Sequence, residues 1–179
     1  MMRALRMGLA VLFAVIFAVV LAVVTIGAFL PRQHISSCAA RFRQTPDAIW
    51  QGITDYRKFP AWRKDVVRVE ALPEANGKPV WREFGRRGGS ISYQVMVMVP
   101  PRVLVTRIAD PKLPFGGTWT YEISSPADGG SQLRITEDGE IYNPLFRFVS
   151  RYVIGYSRTQ EEYLQALGAK FGQSVTIVK

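Results

Sequence analysis

The sequence predicts an α+β protein in which a curved antiparallel sheet wraps around a long C-terminal helix, preceded by one transmembrane helix. Three observations predict this class: an uncharged apolar run at Gly8–Leu30, short strand-like runs separated by turns between positions 66 and 141, and an amphipathic run from Asn143 to about Phe171. At 179 residues the chain has room for one ordinary domain and one appendage.

The apolar run Gly8–Leu30 holds 23 consecutive uncharged residues, and roughly 20 suffice to cross the hydrocarbon of a bilayer. A cleaved signal peptide has a shorter apolar core of about 7–15 residues. We therefore predict a single-pass transmembrane helix at 8–30, between a short basic tail at 1–7 and a linker at 31–35. Five linker residues reach no more than roughly 17 Å, which places the domain on the membrane.

The orientation of this helix follows from the nearby positive charges. Arg3 and Arg6 precede the apolar run, whereas Arg32, Arg41 and Arg43 follow it, so the two counts are close. We favour a cytoplasmic tail and a domain outside the cytoplasm, in a protein of the bacterial inner-membrane type.

Cys38 has two interpretations. Ile35-Ser36-Ser37-Cys38 looks like a bacterial lipoprotein box, which would make Cys38 a lipidated residue. Four residues separate this motif from the apolar run, however, and a lipoprotein box normally adjoins that run. The favoured interpretation is a small apolar residue in the first strand, because free cysteines are among the most buried residues.

Composition excludes several classes of chemistry. One Cys and one His cannot form an internal disulfide, a zinc cluster or a multi-histidine metal site. Gly85-Arg86-Arg87-Gly88-Gly89 lies between two strand-like runs and opens no helix, so it predicts a hairpin turn and no phosphate cradle. We expect neither a metal nor a cofactor.

The net charge of +9 bears on the partners. A basic domain at a bilayer is attracted to anionic headgroups. Nucleic-acid binding calls for a clustered basic stripe with stacking aromatics, and here the basic residues are scattered, so we expect no nucleic acid.

The remaining elements follow in order. Ser36–Arg43 predicts a strand, Thr45-Pro46 an N-capped helix, and Tyr56 to Pro60 a second short helix or a turn. The final helix begins at Asn143-Pro144 and ends before Gly172, leaving a tail at 173–179. Between them lie six strand-like runs, Val66–Leu72, Val80–Phe84, Ser90–Val99, Val103–Ala109, Thr118–Ser124 and Gln132–Ile141. The domain at 36–172 therefore has the order β-αα-β6-α.

Packing considerations predict a cavity in this domain. A sheet with one face to cover and a helix with an apolar stripe bury both when the sheet curls around the helix. Such an arrangement commonly leaves an opening that favours small apolar ligands. Residues 95–98 are apolar on both strand faces. We expect a loop to cover them; lipid, the transmembrane helix or another subunit are the alternatives.

Several motifs resemble the START-like superfamily, the helix-grip fold shared by polyketide cyclase/dehydrase-like proteins, birch-pollen-allergen relatives and lipid-transfer domains. The resemblance covers about residues 36–172 and implies the fold together with an apolar cavity. Its members range from ligand carriers to cyclases, so the fold alone selects no function. The motifs are Thr45-Pro46-Asp47-Ala48-Ile49-Trp50, Ile53-Thr54-Asp55-Tyr56, Phe59-Pro60-Ala61-Trp62, Pro100-Pro101-Arg102-Val103-Leu104, Gly116-Gly117-Thr118-Trp119-Thr120-Tyr121 and Glu137-Asp138-Gly139-Glu140-Ile141.

Strand alternation groups aromatic residues on common faces. Alternate residues point the same way, which pairs Trp81 with Glu83 and Trp119 with Tyr121. If these faces are concave, rings and one or two acids line the cavity; the alternative is that the rings only fill the core. The predicted ligand-binding residues are Trp62, Trp81, Tyr93, Trp119, Tyr121, Tyr152 and Tyr156.

Acid–base catalysis would need a titratable group in the cavity. Glu83, Glu122, Glu137 and Glu140 are the carboxylates considered, with Arg107 as a partner, and a solvated or salt-bridged role is favoured for each. Glu137 and Glu83 are the weak catalytic candidates. His34, the single histidine, falls in the predicted linker and is expected at the surface.

The leading hypothesis is a membrane-anchored domain that binds a hydrophobic small molecule or lipid without catalysis. The first alternative is a cyclase- or hydratase-like enzyme using a cavity carboxylate such as Glu137. The second is a structural or regulatory subunit of a membrane complex, with residues 95–98 as its contact surface for a protein partner.

Overall fold

An open antiparallel sheet of eight strands forms the body of the protein, of which the computed structural model describes residues 2–179. The strands are β1 (Gln33–Phe42), β2 (Val66–Ala75), β3 (Lys78–Gly85), β4 (Ser90–Val99), β5 (Val103–Ile108), β6 (Phe115–Ser124), β7 (Ser131–Ile141) and β8 (Ile177–Val178). They lie in the order β2-β3-β4-β5-β6-β7-β1-β8. Together with the C-terminal helix, this arrangement confirms the predicted α+β fold.

The helices are α1 (Met2–Phe29), α2 (Pro46–Thr54), α3 (Phe59–Trp62), α4 (Pro144–Val149) and α5 (Arg158–Lys170). Helices α2 and α5 cover one face of the sheet, and their side chains share a core with β7. Ile49 of α2, Leu164 and Leu167 of α5, and Leu133 and Ile135 of β7 are all fully buried there.

Two helices begin at the predicted N-caps. The Thr45 hydroxyl accepts a hydrogen bond from the Ala48 N–H at 3.3 Å, and Pro46 occupies the first turn of α2. The Asn143 side-chain oxygen accepts from the Leu145 and Phe146 N–H groups, with Pro144 in the first turn of α4. These side chains satisfy backbone donors that the first turn leaves unpaired.

The C-terminal segment is interrupted, so the prediction of one continuous helix from 143 to 171 is wrong. A π-helical turn at Ser150–Ile154 follows α4, and the chain then breaks at Gly155, whose φ is 81° and ψ is 152°. Residues with a Cβ rarely adopt this conformation. The sheet therefore grips α5, and the segment 144–156 is separated from it by the break at Gly155.

Strand β1 begins three residues earlier than expected. Residues 33–35 of the predicted linker pair with β7, and His34 faces Gly139 in the register. Cys38 is fully buried in β1, which fits the interpretation as an apolar strand residue. Part of the predicted tail forms β8, which pairs with Ala39 and Ala40. The bounds 36–172 for the domain stay a prediction.

Strand β4 ends in an exposed apolar stretch. Its register with β5 shifts between Val95 and Val97, and the exposed fractions are 41% for Val97, 41% for Met98 and 48% for Val99. The expectation that a loop covers these side chains is therefore wrong for the part of the chain that the structure describes. A contact surface for a partner stays a prediction.

Helix α1 contains a stretch, Arg6–Phe29, that is long and apolar enough to cross a membrane. By length and composition it fits a membrane span and a signal sequence alike. Its C-terminal end contacts α4, where Gly27 lies directly against the backbone of Pro144.

Candidate functional site

A cavity of about 550 Å³ lies between the sheet and the segment that runs from α4 to α5. Side chains from β3 to β7, α3, α4 and α5 line it. Seven of the nine predicted site residues are in its wall, namely Trp81, Glu83, Tyr93, Trp119, Tyr121, Glu137 and Tyr156. Strand alternation thus places the aromatic faces on the concave side, while their role in binding stays a prediction.

The other two predicted residues lie outside the cavity wall. Trp62 packs edge-on against Phe59, with ring centroids 5.5 Å apart, and against Tyr163 at 5.3 Å. It is part of the core beneath the sheet. Tyr152 is 60% exposed and contacts Phe148 on the outer side of the π-helical turn. The break at Gly155 removes it from the stripe on which a continuous helix would have placed it.

Tyr163 of α5 is the central ring of this wall, and it was not among the predicted site residues. Its ring lies 5.8 Å from Trp119 and 5.7 Å from Tyr121, in addition to its contacts with Phe59 and Trp62. The Tyr163 hydroxyl is buried without a hydrogen-bond partner among the described residues. Burial and the neighbouring Tyr121 phenol raise the pKa of Tyr163, which therefore stays a neutral phenol.

A buried ion pair sits among these rings. The Arg63 Nη1 donates to Glu83 Oε2 at 2.9 Å, and its Nη2 donates to Asp65 at 2.7 Å. The side chains of Arg63 and Glu83 are 14% and 8% exposed. The Arg63 guanidinium also lies over the rings of Phe59 and Tyr163, at 5.2 and 5.4 Å from their centroids. In the sequence, Arg63 is one of several scattered basic residues, and nothing local marks it as buried.

The indole N–H of Trp81 donates to the other Glu83 oxygen at 2.9 Å. Trp81 in turn stacks on Tyr56 at 4.9 Å and on Tyr93 at 5.6 Å. Glu83 forms a salt bridge, one of the two roles favoured for it, and its two oxygens bond Arg63 and Trp81. A catalytic role for Glu83 stays a prediction.

Burial sets the protonation behaviour of this group. It raises the pKa of the Glu83 carboxyl, against the opposing effect of the Arg63 guanidinium. Burial alone would lower the pKa of Arg63, but Glu83 and Asp65 outweigh it and raise that pKa, so the guanidinium stays charged. Burial also raises the pKa of Tyr93 and Tyr121, which therefore line the cavity as neutral phenols.

A second polar pair lies on the neighbouring strands β1 and β7, toward the other edge of the sheet from β3. His34 of β1 stacks on Tyr156, with ring centroids 4.0 Å apart and an interplanar angle of 16°. Its Nε2 lies 3.6 Å from Oε1 of Glu137 in β7. The ring fits because Gly139 has no side chain, since a Cβ there would overlap the imidazole. The expectation of a surface His34 is wrong: its side chain is 11% exposed and lines the cavity.

The remaining candidates contribute less. Glu140 lies at the cavity wall and accepts a hydrogen bond from the Tyr142 hydroxyl at 2.8 Å. Arg107 and Glu122 are exposed and do not line the cavity, so the suggested role of Arg107 as a carboxylate partner there is wrong. Within residues 2–179, no cluster of three His, Cys, Asp or Glu side chains could hold a metal ion.

A sheet that grips a helix around a ring-lined cavity defines a START-like domain. Residues 39–171 match the family described as polyketide cyclase/dehydrase and lipid transport, and the chain belongs to this family. The comparison with curated proteins finds no match.

Solved structures share the fold at low sequence identity. A START superfamily protein from Mycobacterium smegmatis is 16% identical with a TM-score of 0.63, over 76% of this chain and 96% of that one. The ZhuI aromatase/cyclase from Streptomyces sp. R1128 is 15% identical with a TM-score of 0.60, over 75% of this chain and 91% of that one. The di-domain aromatase/cyclase StfQ from the steffimycin biosynthetic pathway is 16% identical with a TM-score of 0.61, over 76% of this chain and 50% of that chain, about half its length.

The stacking of His34 can be tested by proton NMR, because the sequence has a single histidine. We expect upfield-shifted imidazole signals in the full chain, caused by the ring of Tyr156. Gly139→Ala should move them toward free histidine, because the new methyl group displaces the imidazole. Gly85→Ala is the matched control, since a Cβ there meets its nearest atom at 3.4 Å. Identical histidine signals in all three proteins would contradict this geometry.

Proposed function

We propose that the protein is a membrane-anchored domain that binds a hydrophobic small molecule, such as a lipid or a ring-containing compound, in its cavity. The observation that carries the proposal is the cavity itself, whose volume of about 550 Å³ falls in the roughly 300–1,000 Å³ range of small-molecule sites. Rings and aliphatic side chains form most of the wall, which favours an apolar occupant.

The polar groups of the cavity are few and fixed, which suits orientation of a ligand rather than solvation. Glu83 already bonds Trp81 and Arg63 through its two oxygens. A largely apolar ligand would fill the space between the rings.

Membrane anchoring is supported by the contact between α1 and the domain. Arg147 donates to the carbonyls of Ala28 and Leu30 at the end of α1, and Gly27 packs on Pro144. A signal sequence removed on export would lose these interactions. The basic counts on the two sides of the apolar run are close, and the seven-residue tail with Arg3 and Arg6 near the membrane is our reason for favouring a cytoplasmic tail and a domain outside the cytoplasm.

Filling the cavity tests the binding proposal. Ile108→Trp introduces an indole into the cavity wall, whereas the matched control Val105→Trp lies on the same strand with the opposite parity, outside the wall. Calorimetric titration of the full chain in nanodiscs with 2-naphthol and fatty acids, blanked with empty nanodiscs, should show saturable binding. We expect the Kd of Ile108→Trp to rise at least about tenfold, because the indole occupies the ligand volume. Unchanged affinity in Ile108→Trp, or no saturable binding by the unsubstituted chain, would contradict the proposal.

A second candidate function is acid–base catalysis, and the His34–Glu137 pair favours it. An imidazole beside a carboxylate in a cavity wall can take a proton from a ligand and return it. The family description includes cyclases and dehydrases, whose chemistry requires such transfers at carbon atoms next to a carbonyl group.

Glu137→Gln distinguishes the enzyme from the carrier. With an aryl β-hydroxyketone, dehydration is followed by the absorbance of the conjugated enone. If the domain is an enzyme, turnover by this variant should fall about 10²–10⁴-fold, because the acid–base group is removed. Its affinity for the ketone should stay the same, because the apolar wall remains. Glu122→Gln, an exposed carboxylate outside the cavity wall, is the control. No turnover by the unsubstituted chain, or equal turnover in both variants, would contradict this function.

A further inference from the structure

The segment Pro144–Tyr156 is apolar on both of its sides. Phe146, Val149, Ile154 and Tyr156 line the cavity from it. The same segment exposes its apolar side chains on the outside, with exposed fractions of 44% for Phe146, 60% for Tyr152, 71% for Val153 and 50% for Ile154. Phe146 and Ile154 belong to both sets, so the cavity opens along this segment. A contiguous exposed apolar patch of this kind marks an interaction surface.

A buried arginine fastens the segment to α1. The Arg147 side chain reaches back so that Nη1 donates to the carbonyl of Leu30 at 2.7 Å and to that of Ala28 at 3.3 Å. Arg147 is 6% exposed. The last carbonyls of a helix lack intrahelical partners and carry partial negative charge, which makes them good acceptors for a cation. Gly27 contributes to the same contact, because any side chain at position 27 would overlap the backbone of Pro144. We call this contact between the end of α1 and α4 the joint.

The joint fixes the height of the segment relative to a membrane. The span ends at Phe29, which is 87% exposed, and Arg147 binds the carbonyls on either side of that residue. The exposed Arg32 follows the span, and the exposed Arg151 lies four residues after Arg147. Arginine at the end of a span lies at the headgroup level, where anionic lipids attract it. A segment held here meets lipid on its outer side.

We propose that Pro144–Tyr156 lies in the bilayer interface and forms the membrane-facing wall of the cavity, through which an apolar ligand exchanges with lipid. The inference rests on the proposed membrane anchoring and goes beyond it by assigning the occupant of this surface. The outer side chains then transfer from water to the interface, which is favourable for apolar area. The π-helical turn and Gly155 interrupt regular helix geometry, so this is where we expect the backbone of the segment to move. Arg147 keeps α4 in contact with α1 during this movement.

The test compares fluorophores at three positions of the full chain. Val153→Cys places a nitrobenzoxadiazole label on the segment, Val20→Cys on the span, and Val67→Cys on β2 at the far edge of the sheet; all three sites are about half exposed or more. The native Cys38 is fully buried, and labelled unsubstituted chain is the blank. The proteins are reconstituted in vesicles of phosphatidylcholine and phosphatidylglycerol, and quenching by nitroxide-labelled phosphatidylcholine is compared with quenching by aqueous iodide.

We expect lipid quenching and blue-shifted emission at both 20 and 153, and iodide quenching at 67 only. Lipid quenching at 20 with iodide quenching at 153 overturns this inference and leaves the anchoring intact. Iodide quenching at 20 overturns the anchoring, and the inference with it. Protection of 153 from both quenchers means that a protein surface covers the segment, which also overturns the proposal.

The role of Arg147 has its own variant. Arg147→Met releases the joint without moving the span, so we expect the label at 153 to gain iodide quenching while the label at 20 keeps its lipid quenching. Arg87→Met, an exposed arginine in the turn between β3 and β4 and away from this segment, is the matched control and should change neither signal. Equal protection of 153 in both variants would show that Arg147 does not position the segment.

Discussion

The ion pair between Arg63 and Glu83 is the constraint around which the rest of the domain is arranged. Two opposite charges in an apolar interior must stay together, because an unpaired buried charge costs several kcal/mol. The pair connects the end of α3 with β3, and through the ring of Tyr163 it also contacts α5. The Trp81–Tyr93 stack and the rings around Tyr163 are thereby held on either side of it.

This arrangement explains why the space beneath the sheet stays open. Rings fixed by stacking and by a charge pair cannot move inward to fill a cavity without breaking those contacts. The segment 144–156, which the break at Gly155 separates from regular helix α5, lines another part of the cavity. The wall formed by the sheet is therefore held by these contacts, and the wall that contains α4 lies beside α1, where we propose that the ligand enters.

Much of the fold follows from local sequence signals, since turn residues and alternation locate six central strands and proline after an N-cap locates two helix starts. The same alternation places Trp81, Trp119 and Tyr121 on the concave face. Arg63 was missed because its burial depends on Glu83, a partner twenty residues later, and nothing local separates it from the exposed Lys64 beside it. His34 was missed because its strand is defined by pairing with β7. Tyr152 was misplaced because amphipathic periodicity continues across Gly155 although the backbone does not.

A double-mutant cycle measures whether Arg63 and Glu83 stabilise the domain as a pair. Urea unfolding of the full chain in nanodiscs, followed by tryptophan fluorescence, is measured for Arg63→Met, Glu83→Gln and the double variant. The account predicts that each single substitution lowers the free energy of unfolding by about 3–5 kcal/mol and that the double variant loses much less than their sum. The exposed pair Arg158–Glu162 serves as the control and should show little coupling. Additive losses at Arg63 and Glu83, no larger than those of the control pair, would contradict the account.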